Sequence, residues 1–188
     1  MQINSTSTAM FSIFIESLKL ASEKHISLRR KGCDQVPYIN HLIKVAEVLY
    51  KIGNETDFEL LSAAVLHDVL EDTPTTETEL REIFGERITN LVLEVTDDMS
   101  LTYEDRKRHQ IKKALTISND AKKIKIADKI SNIQDVLSLS LTWSNRRKRQ
   151  YVEWSQKVID NCRGVNENLE KAFDEISNNA LKQIESEE

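Results

Sequence analysis

Val65-Leu66-His67-Asp68-Val69-Leu70-Glu71-Asp72 places an imidazole and three carboxylates within eight residues. Read as one continuous helix, the stretch stacks residues four apart, Glu71 over His67 and Asp72 over Asp68. Leu61, Ala64, Val65, Val69 and Leu70 surround these polar groups, so the helix is expected to be buried along much of its length. Acids buried beside a histidine are tolerated only with a cation, a hydrogen-bond network or raised pKa values. An isolated His-Asp pair more often marks a helix cap beside a core histidine. Here His41, in the first turn of an earlier helix, and Asp128, on a later one, extend the set. Two imidazoles and two carboxylates suit Mn²⁺, Fe²⁺ or Zn²⁺ better than a thiol-seeking ion. A divalent ion held there lowers the pKa of a bound water and polarises a phosphoryl oxygen, as hydrolysis of a phosphate ester requires. Glu71 and Asp72 are then placed to orient or deprotonate that water.

The elements that must position these residues read as helices. Only 4 Gly and 2 Pro occur in 188 residues, and apolar residues recur at helical spacing. Residues 1–9 are polar and are expected to be a flexible N-terminus. A first helix is predicted from about Met10 to Leu28, then a loop from Gly32 to Pro37. A second helix starts near Tyr38, carries Val45, Val48, Leu49 and Ile52 as one stripe, and ends at Gly53. Asp57 caps a third, predicted to run unbroken through His67 and Asp68 to Asp72-Thr73-Pro74. Thr76 and Glu79 form a capping-box pattern before a short helix, Gly85, and a helix from Arg87 to Val95. Asp97 and Asp98 fall in a loop, where they could cap a helix or brace the site, the structural role being favoured, and a charged helix follows from Arg106 to Leu115. Ile126, Ile130, Ile133 and Leu137 predict an amphipathic helix with Asp128 and Asn132 on its opposite face. Two long helices close the chain, with Tyr151, Trp154 and Val158 on one and Leu169, Ala172, Phe173 and Ile176 on the other. The expected fold is an all-α bundle forming a single domain over residues 10–184.

Composition narrows the function. The formal charge of −5 argues against a nucleic-acid partner bound through a globally basic surface. Neither a membrane span nor a basic leader is evident at Met1-Gln2-Ile3-Asn4-Ser5, so no membrane association and a cytoplasmic location are expected. Cys33 and Cys162 form no CxxC pair and read as idle or buried thiols. Basic residues cluster at Arg29-Arg30-Lys31, at Lys122-Lys123-Ile124-Lys125 with Lys129, and at Arg146-Arg147-Lys148-Arg149. Together these clusters could build an anion pocket. His25 and His109 read as surface or packing residues, and Trp143 and Trp154 as packing residues. The residues do not fix an oligomeric state.

The order His41, His67-Asp68, Asp128 resembles the HD superfamily of metal-dependent phosphohydrolases. More specifically, five blocks in order resemble the hydrolase domain of RelA/SpoT proteins. They are Arg30-Lys31 with Pro37-Tyr38-Ile39-Asn40-His41; Leu66-His67-Asp68-Val69-Leu70-Glu71-Asp72-Thr73; Phe84-Gly85; Glu94-Val95-Thr96-Asp97-Asp98; and Lys125-Ile126-Ala127-Asp128-Lys129-Ile130-Ser131-Asn132. With Tyr151-Val152-Glu153-Trp154, the chain is similar to the stand-alone small alarmone hydrolases of the metazoan SpoT-homologue type. The resemblance implies an HD-domain helical bundle that hydrolyses the 3′-diphosphate of ppGpp or pppGpp to GDP or GTP and pyrophosphate, with one Mn²⁺. It implies His41, His67, Asp68 and Asp128 as metal ligands, Glu71 and Asp72 as the catalytic pair that activates water, and Arg30, Lys31, Lys129, Asn132, Arg147 and Tyr151 as substrate contacts. The same pocket would also admit NADPH, as a 2′-phosphatase, or another nucleotide. A nucleotide sensor of little turnover is the non-enzyme alternative, against which the intact Glu71 and Asp72 argue. Tyr103 aligns where the animal relatives carry a basic residue, which bears on one phosphate contact.

Overall fold

The computed structural model describes residues 5–32, 34–138 and 141–187, so the expectations for Cys33 and residues 1–4 lie outside the described residues. All regular elements among the described residues are helical, and one isolated bridge pairs Arg29 with Pro37 across the loop between the first two helices. Helix α1 spans Ser5–Lys24, beginning five residues before the Met10 start read from the sequence, so Ser5 to Ala9 are helical. It also ends sooner, at Lys24 rather than Leu28, and His25 Nδ1 pairs with the Ala21 carbonyl oxygen at that end.

Helix α2 (Ile39–Lys51) buries His41, Leu42, Val45, Ala46, Val48 and Leu49. Gly53, just beyond it, is required by close approach. A Cβ there would lie 2.7 Å from the Leu49 carbonyl oxygen and 3.2 Å from the Leu169 side chain.

Helix α3 (Phe58–Leu66) begins as the sequence predicts, with Asp57 accepting the Glu59 amide at 2.9 Å. It does not continue to Asp72. The helix stops at Leu66, His67 and Asp68 form a turn, and a single turn of helix, α4 (Val69–Asp72), follows. The His67 Nδ1 lies 2.8 Å from the Ala64 carbonyl oxygen, competing for the acceptor that the Asp68 amide would use in an unbroken helix. Asp68 sits at φ −99° and ψ −2°, and its carbonyl receives both the Glu71 and Asp72 amides. Asp72 is therefore one turn on from Asp68, as expected, whereas the stacking of Glu71 over His67 is broken.

Helix α5 (Glu77–Val95) is two helical pieces meeting at Gly85, whose φ of 75° favours glycine. The Thr76 hydroxyl accepts the Glu79 amide at 3.2 Å, but the Glu79 carboxylate pairs with Lys24 at 2.9 Å. Helices α6 (Tyr103–Lys113), α7 (Asn119–Ser138), α8 (Asn145–Asp160) and α9 (Glu167–Ser186) complete the bundle.

Helix α7 has the apolar and polar faces that the sequence predicts, but both are enclosed by the bundle. Every residue from Ile124 to Ser131 is buried, because α2, α3, α5, α8 and α9 all pack on this one helix. Its polar face, with Lys125, Asp128, Lys129 and Asn132, turns into a cavity rather than to the outer surface. Lys125, Asp128, Lys129 and Ser131 therefore lie inside the protein. The core around them includes Leu42, Leu49, Leu60, Leu66, Ile88, Ile124, Ile126, Ile130, Ile133 and Phe173. Each such side chain contributes roughly 1.5–3 kcal/mol on burial, which holds α2, the α3–α4 turn and α7 in fixed register. No helix among the described residues is long and apolar enough to cross a membrane.

Candidate active site

Helix α2 brings His41, the turn after α3 brings His67 and Asp68, and α7 brings Asp128 to one point. His41, His67 and Asp128 each offer a ligand atom within 4.8 Å of the others. His41 Nε2 lies 3.3 Å from Asp128 Oδ1 and 3.7 Å from Asp68 Oδ2. His67 Nε2 lies 3.0 Å from Asp68 Oδ2 and 3.7 Å from Asp128 Oδ1. Each imidazole Nε2 is thus within 3.7 Å of both carboxylates.

The donor set fits a divalent cation. With the Ala64 carbonyl as partner, His67 Nδ1 carries a proton, and Nε2 turns toward the carboxylates. That Nε2 is buried and makes no hydrogen bond of good geometry, although carboxylate oxygens of Asp68 and Asp128 stand 3.0 and 3.7 Å from it. Burial alone would lower the pKa of His67, but Asp68 and Asp128 outweigh it and push the group up to about 10. His41 shifts the other way, lowered chiefly by burial and also by Arg30. Burial opposes charge on Asp68 and Asp128, yet the first is held below the usual carboxylate range by His67 and His41, and the second by Lys129 and both imidazoles. The cluster therefore favours positive charge at its centre.

A second tier of contacts fixes these groups. His41 Nδ1 pairs with the Ser131 hydroxyl at 2.9 Å. Tyr38 donates its hydroxyl to Asp68 Oδ2 at 2.7 Å, and its ring stacks on the buried His25 with centroids 5.4 Å apart. His25 is thus a packing residue, as expected, but one that backs the site. Glu71 Oε1 accepts the Asp97 amide at 2.6 Å, and Gln110 donates its side-chain amide to Asp97 Oδ2. Burial first, then Asp68 and Asp97, push the Glu71 carboxyl up to about 7, a value suited to a group that exchanges protons near neutrality. Asp72, more exposed, is raised by burial and by Asp68. Tyr38, Ser131 and Gln110 were not assigned roles from the sequence, whereas Asp97 was read as a helix cap or a brace of the site. Tyr38 and Ser131 each stand three residues from a predicted ligand, a spacing that offered a signal. Gln110 had none.

These residues line a cavity of about 490 Å³, enough for a small-molecule ligand. His41, His67, Asp68 and Asp128 stand with Glu71, Asp72 and Asp97 in its wall, and Arg30, Lys31, Arg106, Lys125 and Lys129 add cationic groups. Arg30 donates to Asp135 at 2.6 Å and to Asn132 at 2.5 Å, and Asn132 in turn donates to Asp128 Oδ1 at 2.5 Å. Lys129 donates to Asp128 Oδ2 at 2.9 Å and lies over Trp154, 4.8 Å from its ring centroid. Of the predicted substrate contacts, Arg30, Lys31, Lys129, Asn132 and Tyr151 line the cavity. Arg147 does not. Its guanidinium covers Trp143 at 4.3 Å, and Trp143 is the residue of that pair that reaches the cavity wall. The first two basic clusters therefore supply cavity cations, whereas the third contributes through Trp143. Tyr103 is the first residue of α6, exposed and outside the cavity wall; Arg106, one turn on, is within it.

Comparison with known proteins places these features in context. Residues 17–158 match the HD domain. The chain is 44% identical over 164 residues to the guanosine-3′,5′-bis(diphosphate) 3′-pyrophosphohydrolase MESH1 of Drosophila melanogaster, covering 87% of this chain and 92% of the relative. It is 41% identical over 160 residues to the MESH1 of Homo sapiens, covering 85% and 89%. A solved structure, described as a metazoan ortholog of SpoT that hydrolyzes ppGpp and plays a role in starvation responses, superposes with a TM-score of 0.86. It is 41% identical, with 95% of this chain and 97% of that chain covered.

Proposed function

Because the chain belongs to the HD-domain family and groups there with the MESH1 proteins, we propose that it is a Mn²⁺-dependent 3′-pyrophosphohydrolase of ppGpp and pppGpp. The observation that carries this reading is the convergence of the His41 and His67 Nε2 atoms on the carboxylates of Asp68 and Asp128 in the wall of a cavity with cations around it. Imidazole and carboxylate donors without thiolate suit Mn²⁺. His41, His67, Asp68 and Asp128 would hold the ion. Bound there, it would lower the pKa of a water and polarise the phosphoryl oxygen under attack.

The chain's own residues account for the rest. Glu71, held by the Asp97 amide, takes a proton from the attacking water, and Asp72 at the end of the same helical turn orients it. The water oxygen adds to the phosphorus on the ribose 3′-oxygen, the P–O3′ bond breaks, and the 3′-oxygen leaves as part of GDP or GTP with the proton that Glu71 took from the water. Pyrophosphate is the other product. Lys129, Lys31 and Arg30 neutralise charge on the phosphates, and Asn132 links Arg30 to Asp128, so that substrate binding and the metal ligands share one hydrogen-bond chain. Tyr151, in the cavity wall beside Trp143, offers a ring for the nucleoside. The reading carries with it a cytoplasmic location, where guanine nucleotides are made and used.

Hydrolysis of ppGpp and of NADPH by the purified protein, with Mn²⁺ added or chelated, tests this. Mn²⁺-dependent release of GDP and pyrophosphate, with slower release of phosphate from NADPH, is the expected result. Preferential phosphate release from NADPH overturns the substrate, and no turnover of either overturns the enzyme reading in favour of a sensor.

A further inference from the structure

Helix α6 has no assigned role in the reading above, yet one of its faces belongs to the active site. Arg106 and Gln110, four residues apart, both line the cavity. Gln110 donates to Asp97, whose backbone amide holds Glu71 at 2.6 Å. Arg106 therefore stands one helical turn from a residue connected through two hydrogen bonds to the carboxylate that receives the water's proton. Lys113 ties the C-terminal end of the same helix to the Leu93 and Thr96 carbonyls at 3.1 and 2.7 Å, and Trp154 of α8 donates to the Lys107 carbonyl at 3.1 Å. The helix is thus fixed against both walls, and the position of Arg106 follows from it.

The partners of the cavity cations differ. Arg30 is paired with Asp135 and Asn132, Lys129 with Asp128, and Lys125 with the Val95 carbonyl at 2.8 Å. The hydrogen bond found for Arg106 among the described residues goes to the thioether of Met99 at 2.7 Å. A thioether is a weak acceptor, and a guanidinium carries five N–H donors in a fork that matches phosphate oxygens. A half-buried guanidinium so weakly engaged, on the Glu71 side of a cavity holding other cations, is arranged for an anionic ligand.

Resting on the proposed reaction, the geometry points to Arg106 as the residue that grips the outer phosphate of the 3′-diphosphate, the group that departs as pyrophosphate. Arg106 shares the cavity lining with Glu71, Asp97 and Gln110, so a diphosphate whose inner phosphorus lies at Glu71 and the ligand cluster meets this guanidinium in the same wall.

Calorimetric titration of inorganic pyrophosphate, and separately of GDP, into Mn²⁺-loaded protein freed of excess ion tests the assignment without turnover. Arg106→Gln should weaken pyrophosphate binding roughly tenfold or more, the weight of a charge-assisted contact, and leave GDP binding within about twofold. Arg106→Lys should recover part of the loss, because a point charge replaces the fork. Arg108→Gln, which removes a charge paired with Asp105 on the same helix, should leave pyrophosphate binding unchanged. Equal pyrophosphate affinity in wild type and Arg106→Gln, no pyrophosphate binding by the wild type, or an equal loss in Arg108→Gln would each overturn the assignment. The reading of the reaction is judged separately, by whether wild type releases GDP and pyrophosphate from ppGpp. With turnover present, Arg106→Gln should raise KM for ppGpp more than it lowers kcat.

Discussion

The Tyr38 hydroxyl donates to Asp68 Oδ2 at 2.7 Å, and this same oxygen lies 3.0 Å from His67 Nε2. A phenol from the start of one helix thereby orients the carboxylate at the break of another. Hydrogen bonds that orient metal ligands typically carry a 10–100-fold effect on metal affinity. Tyr38→Phe keeps the ring that stacks on His25 and loses only the donor. It should weaken Mn²⁺ binding by about that factor, measured by calorimetry, with the melting temperature of the metal-free protein little changed.

Glu71 is the second residue whose environment makes a testable demand. Glu71→Gln retains an oxygen to accept the Asp97 amide but cannot take a proton from water. Turnover of ppGpp should fall by roughly 10²–10⁴-fold while substrate affinity stays near the wild-type value. Unchanged turnover would remove Glu71 from the reaction.

The same residue has a signature in stability. In the metal-free protein its carboxyl is raised from 4.5 to about 7, so the fold favours the protonated form and ionisation costs stability. That cost is absent below the ordinary carboxylate range, grows as pH climbs from there toward 7, and is complete above it. The melting temperature of metal-free Glu71→Gln should therefore gain on wild type across that window, and thermal scans at pH 4, 6 and 8 measure the difference. A gain that is constant with pH contradicts the assignment.

Loading the cluster should stabilise the whole domain, since the ligands come from separate elements, α2, the turn after α3, and α7. At Mn²⁺ about 100-fold above its dissociation constant, linkage gives about 2.7 kcal/mol. For a chain of this size that is a rise of roughly 5–10 °C in melting temperature, reversed by chelation. Asp128→Asn should abolish most of the rise.

Away from the site, Arg87 ties the cap of α3 to α7. It donates to Asp57 at 2.5 Å, Glu59 at 2.7 Å and Asp120 at 3.0 Å. Burial would raise the pKa of Asp57, but Arg87 and the backbone amides of Glu59 and Leu60 hold it below its ordinary 3.8. A carboxyl with a depressed pKa contributes above the ordinary range and loses that contribution as pH falls through the folded value. The cluster is well exposed, so Arg87→Met should cost only about 0.5–1 kcal/mol at pH 7. Chemical denaturation should show this difference shrinking below about pH 4.

The sequence by itself determined the helical class and, through the spacing of Asp57, Gly53, Thr76 and Gly85, where several helices start, end or bend. These are local signals, set by backbone hydrogen bonding and conformational freedom within a few residues. Residue type also brought forward His41, His67, Asp68 and Asp128 as candidates for a divalent ion, and their order, through its resemblance to HD phosphohydrolases, joined them into one set. What only the tertiary structure decided is how these groups are held. The His67 side chain breaks the helix that periodicity extends to Asp72, and the enclosure of α7 by five other helices turns an apparent polar face into the interior. Arg147 was drawn to the site by sequence order, yet it packs on Trp143, while Gln110 and Arg106 enter the cavity with no local sign of doing so. Contacts such as Gln110 to Asp97 and Arg30 to Asn132 join residues far apart along the chain. Such contacts depend on how whole helices pack, and packing is a sum over many distant side chains that no short window of sequence contains.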